Sequence, residues 1–153
     1  MTLREPSWLQ GGVLITDDIV ERLGQEALSA SPGEACGILL GDRTTKTIRE
    51  IMPAGNIAEA GGGSRRFYRI DPMEVYRLER RAESGKYEIV GFYHSHVEAA
   101  AVPTEEDERN MIPGMIYMIV PVYGGLAGFG RAYRKDSAGG PVTEIVVGLK
   151  GRG

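Results

Sequence analysis

The chain has 153 residues, 42% of them hydrophobic and 25% charged, and a formal net charge of −3. That length suffices to bury one substantial core, and the composition is that of a globular protein. The acidic balance argues against nucleic acid as a partner, because phosphate binding depends on a basic surface. The longest apolar run, 115–120, is far too short to cross a bilayer, which takes about 20 residues, so no membrane association is expected.

Residues 1–12 contain no continuous apolar stretch of the kind found in signal peptides. The single cysteine, Cys36, cannot form an internal disulfide, so nothing indicates an oxidising compartment. We therefore expect a cytoplasmic protein that forms one domain over residues 1–153, with its core at about 13–149.

The apolar pattern of the first half predicts four elements and a loop. In the first helix the apolar residues Ile19, Leu23 and Ala27 recur at every fourth position, which is typical of a helix with one buried face. The loop contains three consecutive glycines and no apolar periodicity. In chain order the predictions are a strand at 13–16, a helix at 17–29, a strand at 35–40, its hairpin partner at 47–53 and a flexible glycine-rich loop at 55–66.

The second half opens on a strong helix start, with Asp71 as the N-cap, Pro72 in the first turn and Glu74 three residues after the cap. Helices and strands are then intermixed without strict alternation. This order predicts the α+β class, with a mixed β-sheet flanked by helices. The predicted elements are a helix from 71 to about 84, strands at 88–96, 115–123, 129–134 and 142–149, and a short helix at about 104–111.

The two histidines of the chain, His94 and His96, are separated by one residue at the end of a predicted strand. Residues i and i+2 of a strand point to the same face, about 6.6 Å apart, so both imidazoles can reach one ion. Asp107 follows at the predicted start of the short helix. Two histidine nitrogens and a carboxylate oxygen suit zinc, and three protein ligands leave the fourth position for water. The spacing fits equally two metal-free, partly buried histidines and an Asp107 that only caps a helix.

These residues resemble the motif of the JAMM (MPN+) metallopeptidases, which is a Glu, then His-x-His, seven residues, a Ser, two residues and an Asp. Here Glu34 precedes an apolar run, and His94, His96, Thr104 and Asp107 follow at the spacings of that motif. The resemblance implies the three-layer architecture of MPN and cytidine-deaminase-like domains. It covers roughly residues 13–133, in which the segments 53–56 and 67–72 resemble stand-alone prokaryotic members of the CysO–cysteine peptidase type.

The resemblance also implies a role for each residue of the motif. His94, His96 and Asp107 would hold one Zn²⁺ per chain, which lowers the pKa of a bound water to about 7. Glu34 would be the general base, because a carboxylate in hydrogen-bond reach can move the proton of the water to the leaving amine. Thr104 would stand where the serine of the family helps to hold the oxyanion.

Two positions depart from the family pattern. Thr104 keeps the hydroxyl of the serine but adds a methyl group that stiffens χ1. Val97 stands where a proline is common, so the loop 97–102 is expected to be less rigid. Cys36 is close to Glu34 in sequence, but with both histidines engaged by a metal it has no base to activate it, and we interpret it as a small core residue.

By resemblance, the function is zinc-dependent hydrolysis of an amide bond after the C-terminal tail of a ubiquitin-like sulfur-carrier protein. The alternatives are a ubiquitin-like isopeptidase and a non-catalytic MPN scaffold, and the intact ligand set speaks against the scaffold. The loop 55–66, with Arg65 and Arg66, is a candidate for a segment that orders over such a tail. The identity of the carrier and the oligomeric state, a homodimer included, do not follow from the sequence.

Overall fold

The computed structural model describes residues 12–56 and 69–151. In these ranges one sheet of nine strands is accompanied by three helices. The strands are β1 (Val13–Thr16), β2 (Cys36–Asp42), β3 (Thr47–Ala54), β4 (Glu88–Val97), β5 (Ile116–Tyr123), β6 (Leu126–Ala127), β7 (Arg131–Lys135), β8 (Val142–Ile145) and β9 (Val147–Lys150). The helices are α1 (Asp17–Ala30), α2 (Pro72–Glu83) and α3 (Glu105–Asn110). None of the helices in the described ranges has both the length and the apolarity needed to cross a membrane.

The sheet is mixed and curls back on itself. Its strand order is β8-β7-β5-β4-β2-β3-β1-β9, with β6 paired to β5. Strand β4 is parallel to β5, and β1 is parallel to both β3 and β9, whereas the other pairs are antiparallel. The end strands β8 and β9 are separated in sequence by Val146 alone, and the Val13 amide donates to the Val146 carbonyl at 2.9 Å. The two ends of the sheet therefore meet at this residue.

Helix α1 fills the inner face of the curl. Its buried residues are Ile19, Leu23 and Ala27, the three that the sequence period predicts, so that prediction is confirmed. They belong to the largest apolar cluster, which also contains Leu39 of β2 and Tyr93 of β4. Burying large apolar side chains contributes about 1.5–3 kcal/mol each, so this cluster is the main source of stability of the fold.

Helix α2 covers the opposite face of the sheet. Its N-cap is Asp71, whose carboxylate accepts from the Met73 amide at 2.9 Å, as the sequence predicts. Leu78 of the helix packs in a second cluster with Ile38 and Leu40, which alternate along β2 with the inward-facing Leu39. Helices thus lie on both faces, and the predicted mixed sheet flanked by helices is confirmed.

The structure differs from the strand prediction in three details. The single strand predicted at 142–149 is two strands, β8 and β9, because the chain bends at the exposed Val146 to join opposite edges of the sheet. The strand predicted from residue 129 begins at Arg131. The two-residue strand β6 is too short for any sequence period to reveal. Most of the predicted glycine-rich loop, 57–66 with Arg65 and Arg66, lies outside the described residues.

Strand β4 approaches β5 so closely at Gly91 that only glycine fits. A β-carbon at this position would overlap the carbonyl oxygen of Ile116, its partner in β5. We therefore expect Gly91→Ala to lower the free energy of unfolding by at least about 2 kcal/mol, as overpacking does. Gly139→Ala is the control, because a β-carbon at Gly139 meets nothing within 4 Å. Equal midpoints of denaturant unfolding for the two variants would contradict this account.

Candidate metal centre

The two histidines lie on β4 in the middle of the sheet. Side chains alternate along a strand, so His94 and His96 share the face of Phe92, which packs against the cluster of α2. Both are deeply buried, with 1% and 4% of their surfaces exposed. Polar side chains so far from water need partners, and here these come from one short helix and the loop before it.

Helix α3 brings the carboxylate to the histidines. The Thr104 hydroxyl accepts from the Asp107 amide at 3.0 Å, and Asp107 Oδ2 accepts from the Thr104 amide at 2.9 Å. These two reciprocal bonds form a capping box, which confirms the predicted helix start. The same Oδ2 atom lies 3.3 Å from Nε2 of His94 and 3.2 Å from Nε2 of His96. The cap therefore fixes the atom that faces the histidines.

The three atoms have the separations that a tetrahedral metal ion requires. The Nε2 atoms of His94 and His96 are 3.1 Å apart, and each lies 3.2–3.3 Å from Asp107 Oδ2. Ligands bonded to zinc at about 2.0–2.1 Å in a tetrahedron are about 3.3 Å from one another. Among the described residues, only His94, His96 and Asp107 place three potential ligand atoms close enough together to share one ion. The donor set therefore fits a zinc ion with one position left open.

The protonation of the three side chains agrees with this role. Nδ1 of His96 lies 2.8 Å from the Ala100 carbonyl, which can only accept, so this nitrogen carries a proton and Nε2 is the atom left to face an ion. Burial lowers the pKa of His94 and favours the neutral imidazole. Burial opposes ionisation of Asp107, but its hydrogen bonds with the two histidines outweigh that effect and hold its pKa well below the usual range.

The pKa of His96 moves in the other direction. Burial alone would lower it, but the hydrogen bonds with Asp107 and with the Ala100 carbonyl outweigh burial, and the net pKa is raised. A positive charge between His96 and the carboxylate is thus favourable. A proton and a metal ion compete for the same position, and the metal can contact all three atoms at once.

Glu34 lies beside this cluster, at the start of β2. The antiparallel register pairs Cys36 with His94, so Glu34, two residues earlier, falls opposite His96 and on the same face of the sheet. The Ala35 amide donates to Ser95 Oγ at 2.8 Å, and the Ser95 amide donates to the Ala35 carbonyl at 3.0 Å. Glu34 itself is buried, with 3% of its surface exposed. Ser95 was not predicted as a site residue, although its position between the two histidines was the available signal.

Hydrogen bonds restrain the loop after β4, although Val97 stands where a proline is common in the family. The Glu98 amide donates to the Val122 carbonyl at 2.7 Å, and the Glu98 carboxylate accepts from the Gly124 amide at 2.6 Å. The Tyr133 hydroxyl donates to the Ala101 carbonyl at 2.5 Å. These bonds restrain the loop 97–102 that was expected to be less rigid. Cys36 is buried, with its sulfur 3.7 Å from the Ala54 carbonyl, and it is not part of the metal-ligand group.

Lys135 holds the far end of helix α3. It lies on β7 with only 5% of its surface exposed, and its ammonium donates to the carbonyls of Glu108 and Ala138. Glu108 follows the candidate ligand Asp107 directly. A cation at the C-terminal end of a helix satisfies its last carbonyls and opposes their negative potential. Sequence patterns gave no signal for this contact, because it joins residues 27 positions apart.

One cavity adjoins the cluster, and a second lies at Glu34. The larger, of about 460 Å³, contains Asp107 in its wall together with residues of α2, β4 and β5. Its lining residues are Arg69, Ile70, Val75, Phe92, Glu106, Asp107, Asn110, Ile112 and Tyr117. The smaller, of about 250 Å³, contains Glu34 in its wall, with Glu26 and Ser29 of α1 and Asn56 after β3. A buried cluster with a cavity at the carboxylate and another at Glu34 has the layout of a catalytic site.

Comparison with known proteins agrees with the geometry. The sequence model of the Prok-JAB family, described as prokaryotic homologs of the JAB domain, matches residues 16–134. The chain belongs to this family. The matched range contains every candidate site residue, from Glu34 to Asp107.

Named relatives are hydrolases. The chain is 36% identical to the desampylase of Haloferax volcanii over 104 residues, which are 67% of this chain and 73% of that protein. It is 30% identical to the CysO-cysteine peptidase of Mycobacterium tuberculosis over 97 residues, which are 63% of this chain and 64% of the relative, slightly less than two thirds of it. The chain is therefore classed with the hydrolases of this family.

The fold is shared with a solved structure of low sequence identity. A JAB1/MPN domain protein from Archaeoglobus fulgidus superposes with a TM-score of 0.55 at 16% identity, over 90% of this chain and 96% of that one. Such a likeness concerns the arrangement of the sheet and helices, which is the MPN arrangement expected from the sequence.

Metal binding by the cluster is testable without any substrate. We expect the purified protein to carry about one zinc per chain, and Asp107→Asn to weaken zinc binding at least about 100-fold in chelator competition. Asparagine keeps an oxygen that can accept from the Thr104 amide, so the helix cap survives while the negative ligand is lost. Glu105→Gln removes a neighbouring acid that is 97% exposed and should bind zinc as the wild type does. Equal zinc affinity for Asp107→Asn and the wild type would exclude Asp107 as a ligand.

The anchoring role of Lys135 predicts a loss of stability. Lys135→Met fills similar space but leaves the carbonyls of Glu108 and Ala138 without their buried donor, which costs about 1–3 kcal/mol of unfolding free energy. Lys86→Met serves as the control, because Lys86 is exposed and its replacement should change stability by less than about 0.5 kcal/mol. Denaturant unfolding measures the free energy of unfolding of both variants. A Lys135→Met protein as stable as the control would contradict the anchoring role of Lys135.

Proposed function

We propose that this protein is a zinc-dependent peptidase that hydrolyses an amide bond after the C-terminal tail of a ubiquitin-like sulfur-carrier protein. The convergence of His94 Nε2, His96 Nε2 and Asp107 Oδ2 beside a buried Glu34 carries the proposal. Family membership and the peptidase and desampylase among its relatives support it. The carrier protein as substrate follows from the resemblance and from the name of the CysO-cysteine peptidase.

Each residue of the site has a defined task in this proposal. His94, His96 and Asp107 would hold a zinc ion, which when bound supplies Lewis-acid polarisation of the scissile carbonyl and of the attacking water. Glu34 takes a proton from the water and returns it to the departing amine. Thr104 accepts a hydrogen bond from the Asp107 amide, and its own hydroxyl proton has no acceptor within the part of the chain that the structure describes. That proton can be donated to the oxyanion.

The larger cavity is the proposed binding groove for the tail. It combines an apolar wall, formed by Ile70, Val75 and the stacked rings of Phe92 and Tyr117, with the carboxylate of Asp107. The ring centroids of that pair are 5.5 Å apart. An extended peptide can bury apolar side chains in such a groove while its backbone forms hydrogen bonds. The presence of Asp107 in the wall of this groove supports cleavage of a bound tail at the cluster.

An isopeptidase is the second candidate, because the relative with 36% identity is a desampylase. Both reactions hydrolyse an amide after a carrier tail, and they differ only in whether the departing amine is an α-amine or the ε-amine of a lysine. A substrate panel separates them. The panel holds carrier proteins extended by an amino acid after Gly-Gly and the same carriers linked to a lysine side chain, with cleavage read by intact mass.

The base is tested by Glu34→Gln in the same assay. We expect this variant to keep its zinc, because Glu34 is not in the ligand group, and to lose at least about 100-fold in kcat. Glu26→Gln removes another acid from the same cavity wall and should keep wild-type kcat. Substantial turnover by Glu34→Gln would mean that another group is the base, and no cleavage of any carrier by the zinc-loaded wild type would overturn the proposed function.

A further inference from the structure

The side chain of Asn56 joins two parts of the site that are far apart in sequence. Its Nδ2 donates to the Glu34 carbonyl at 3.1 Å, and its Oδ1 accepts from the Arg69 amide at 2.9 Å. Carbonyls only accept and amides only donate, so the two partners fix the orientation of the side-chain amide without ambiguity. One side chain thus bridges residues 22 positions before it and 13 positions after it.

Each partner of Asn56 belongs to a different cavity. Glu34 lines the smaller cavity, and it stands two residues before the first ladder residue of β2, Cys36. Arg69 lines the larger cavity together with Asp107. Since Glu34 precedes the β2 ladder, the bond from Asn56 restrains backbone that β-pairing does not. The bridge therefore connects the proposed base with the wall of the proposed tail groove.

A second bond holds the bridge in place. The Gly55 amide donates to Glu74 Oε1 at 2.8 Å, and Glu74 lies in the first turn of α2. The end of β3 is thereby attached to the helix that forms part of the groove. Asn56 is only half-buried, and water could satisfy its amide and the Arg69 amide equally well. The stability of the fold therefore does not explain why an asparagine stands here. Its explanation is that it holds the two cavities in a fixed relative position.

We propose that Asn56 is a positioning residue that holds the proposed base Glu34 at a fixed position relative to Arg69 in the wall of the tail groove. The expected changes in kcat and KM rest on the proposed function. The hydrogen bonds of Asn56 can be tested without any activity measurement. The donor end of Asn56 governs the position of Glu34 and hence kcat. The acceptor end governs Arg69 and hence KM for the carrier.

Two substitutions separate the ends. Asn56→Asp has the same shape and keeps an oxygen for the Arg69 amide, but it loses the donor to Glu34 and sets a negative charge against that carbonyl. We expect kcat to fall about tenfold or more, as a misplaced catalytic group does, with KM within about twofold of the wild type. Asn56→Leu loses both ends, so kcat should fall and KM should rise.

Amide hydrogen exchange measured by NMR tests the bridge without substrate. The Arg69 amide should stay as protected in Asn56→Asp as in the wild type and should exchange faster in Asn56→Leu, because only leucine removes its acceptor. Asp42→Ala is the matched control. It removes a side chain that accepts from the Thr44 amide at 2.8 Å in the β2–β3 turn, away from both cavities, and should leave kcat and KM unchanged.

The outcomes are distinct. Unchanged kcat in Asn56→Asp, or unchanged Arg69 exchange in Asn56→Leu, would overturn the positioning role. A drop in melting temperature with kcat and KM of the wild type in both variants would make Asn56 merely structural and would overturn it as well. If the zinc-loaded wild type cleaves no carrier, the proposed function fails by itself, and the Arg69 exchange still decides whether the bridge exists.

Discussion

The centre of this structure depends on three electron-rich atoms held about 3.1–3.3 Å apart in a buried position. Two imidazole nitrogens and a carboxylate oxygen repel one another at that distance unless a positive charge lies between them. With a proton at the centre only one pair can be satisfied, whereas a tetrahedral metal ion satisfies all three. The fold stabilises this arrangement from both sides, through the central strand β4 and through the cap of helix α3.

Asp107 combines a helix cap and the proposed metal ligand in one atom. Its Oδ2 accepts from the Thr104 amide and also faces both histidines. A six-residue helix buries too little surface to be stable alone, so its position is set by its ends. The capping box fixes one end and Lys135 fixes the other. The two explanations of Asp107 that the sequence left open, a helix cap and a metal ligand, are therefore compatible, and the cap is what makes the ligand geometry reproducible.

The parts predictable from sequence are those governed by local rules. The stripe of α1, the caps Asp71 and Thr104, and the shared face of His94 and His96 each follow from neighbours a few residues away. The bend at Val146 does not follow from neighbouring residues. Strands β8 and β9 pair at opposite edges of the sheet, so the position of the turn depends on the complete sheet. The contacts of Lys135 with Glu108 and of Asn56 with Glu34 and Arg69 were not predicted for the same reason. They join residues 27, 22 and 13 positions apart, and although the resemblance covers the segments 53–56 and 67–72, no period or motif links the partners.

The family motif supplied what local rules could not, which is the association of Glu34 with the histidines. The structure gives the physical reason for that association. Strand β2 runs antiparallel to β4, and Ser95 locks the register by bonding through both its hydroxyl and its amide to Ala35. A slip of one residue would turn Glu34 to the opposite face, toward the α1 core, where a carboxylate would be buried without the cluster. The serine between the histidines thus contributes to the register that places the proposed base on this face of the sheet. The β2–β3 register likewise brings Asn56, after the end of β3, within reach of the Glu34 carbonyl.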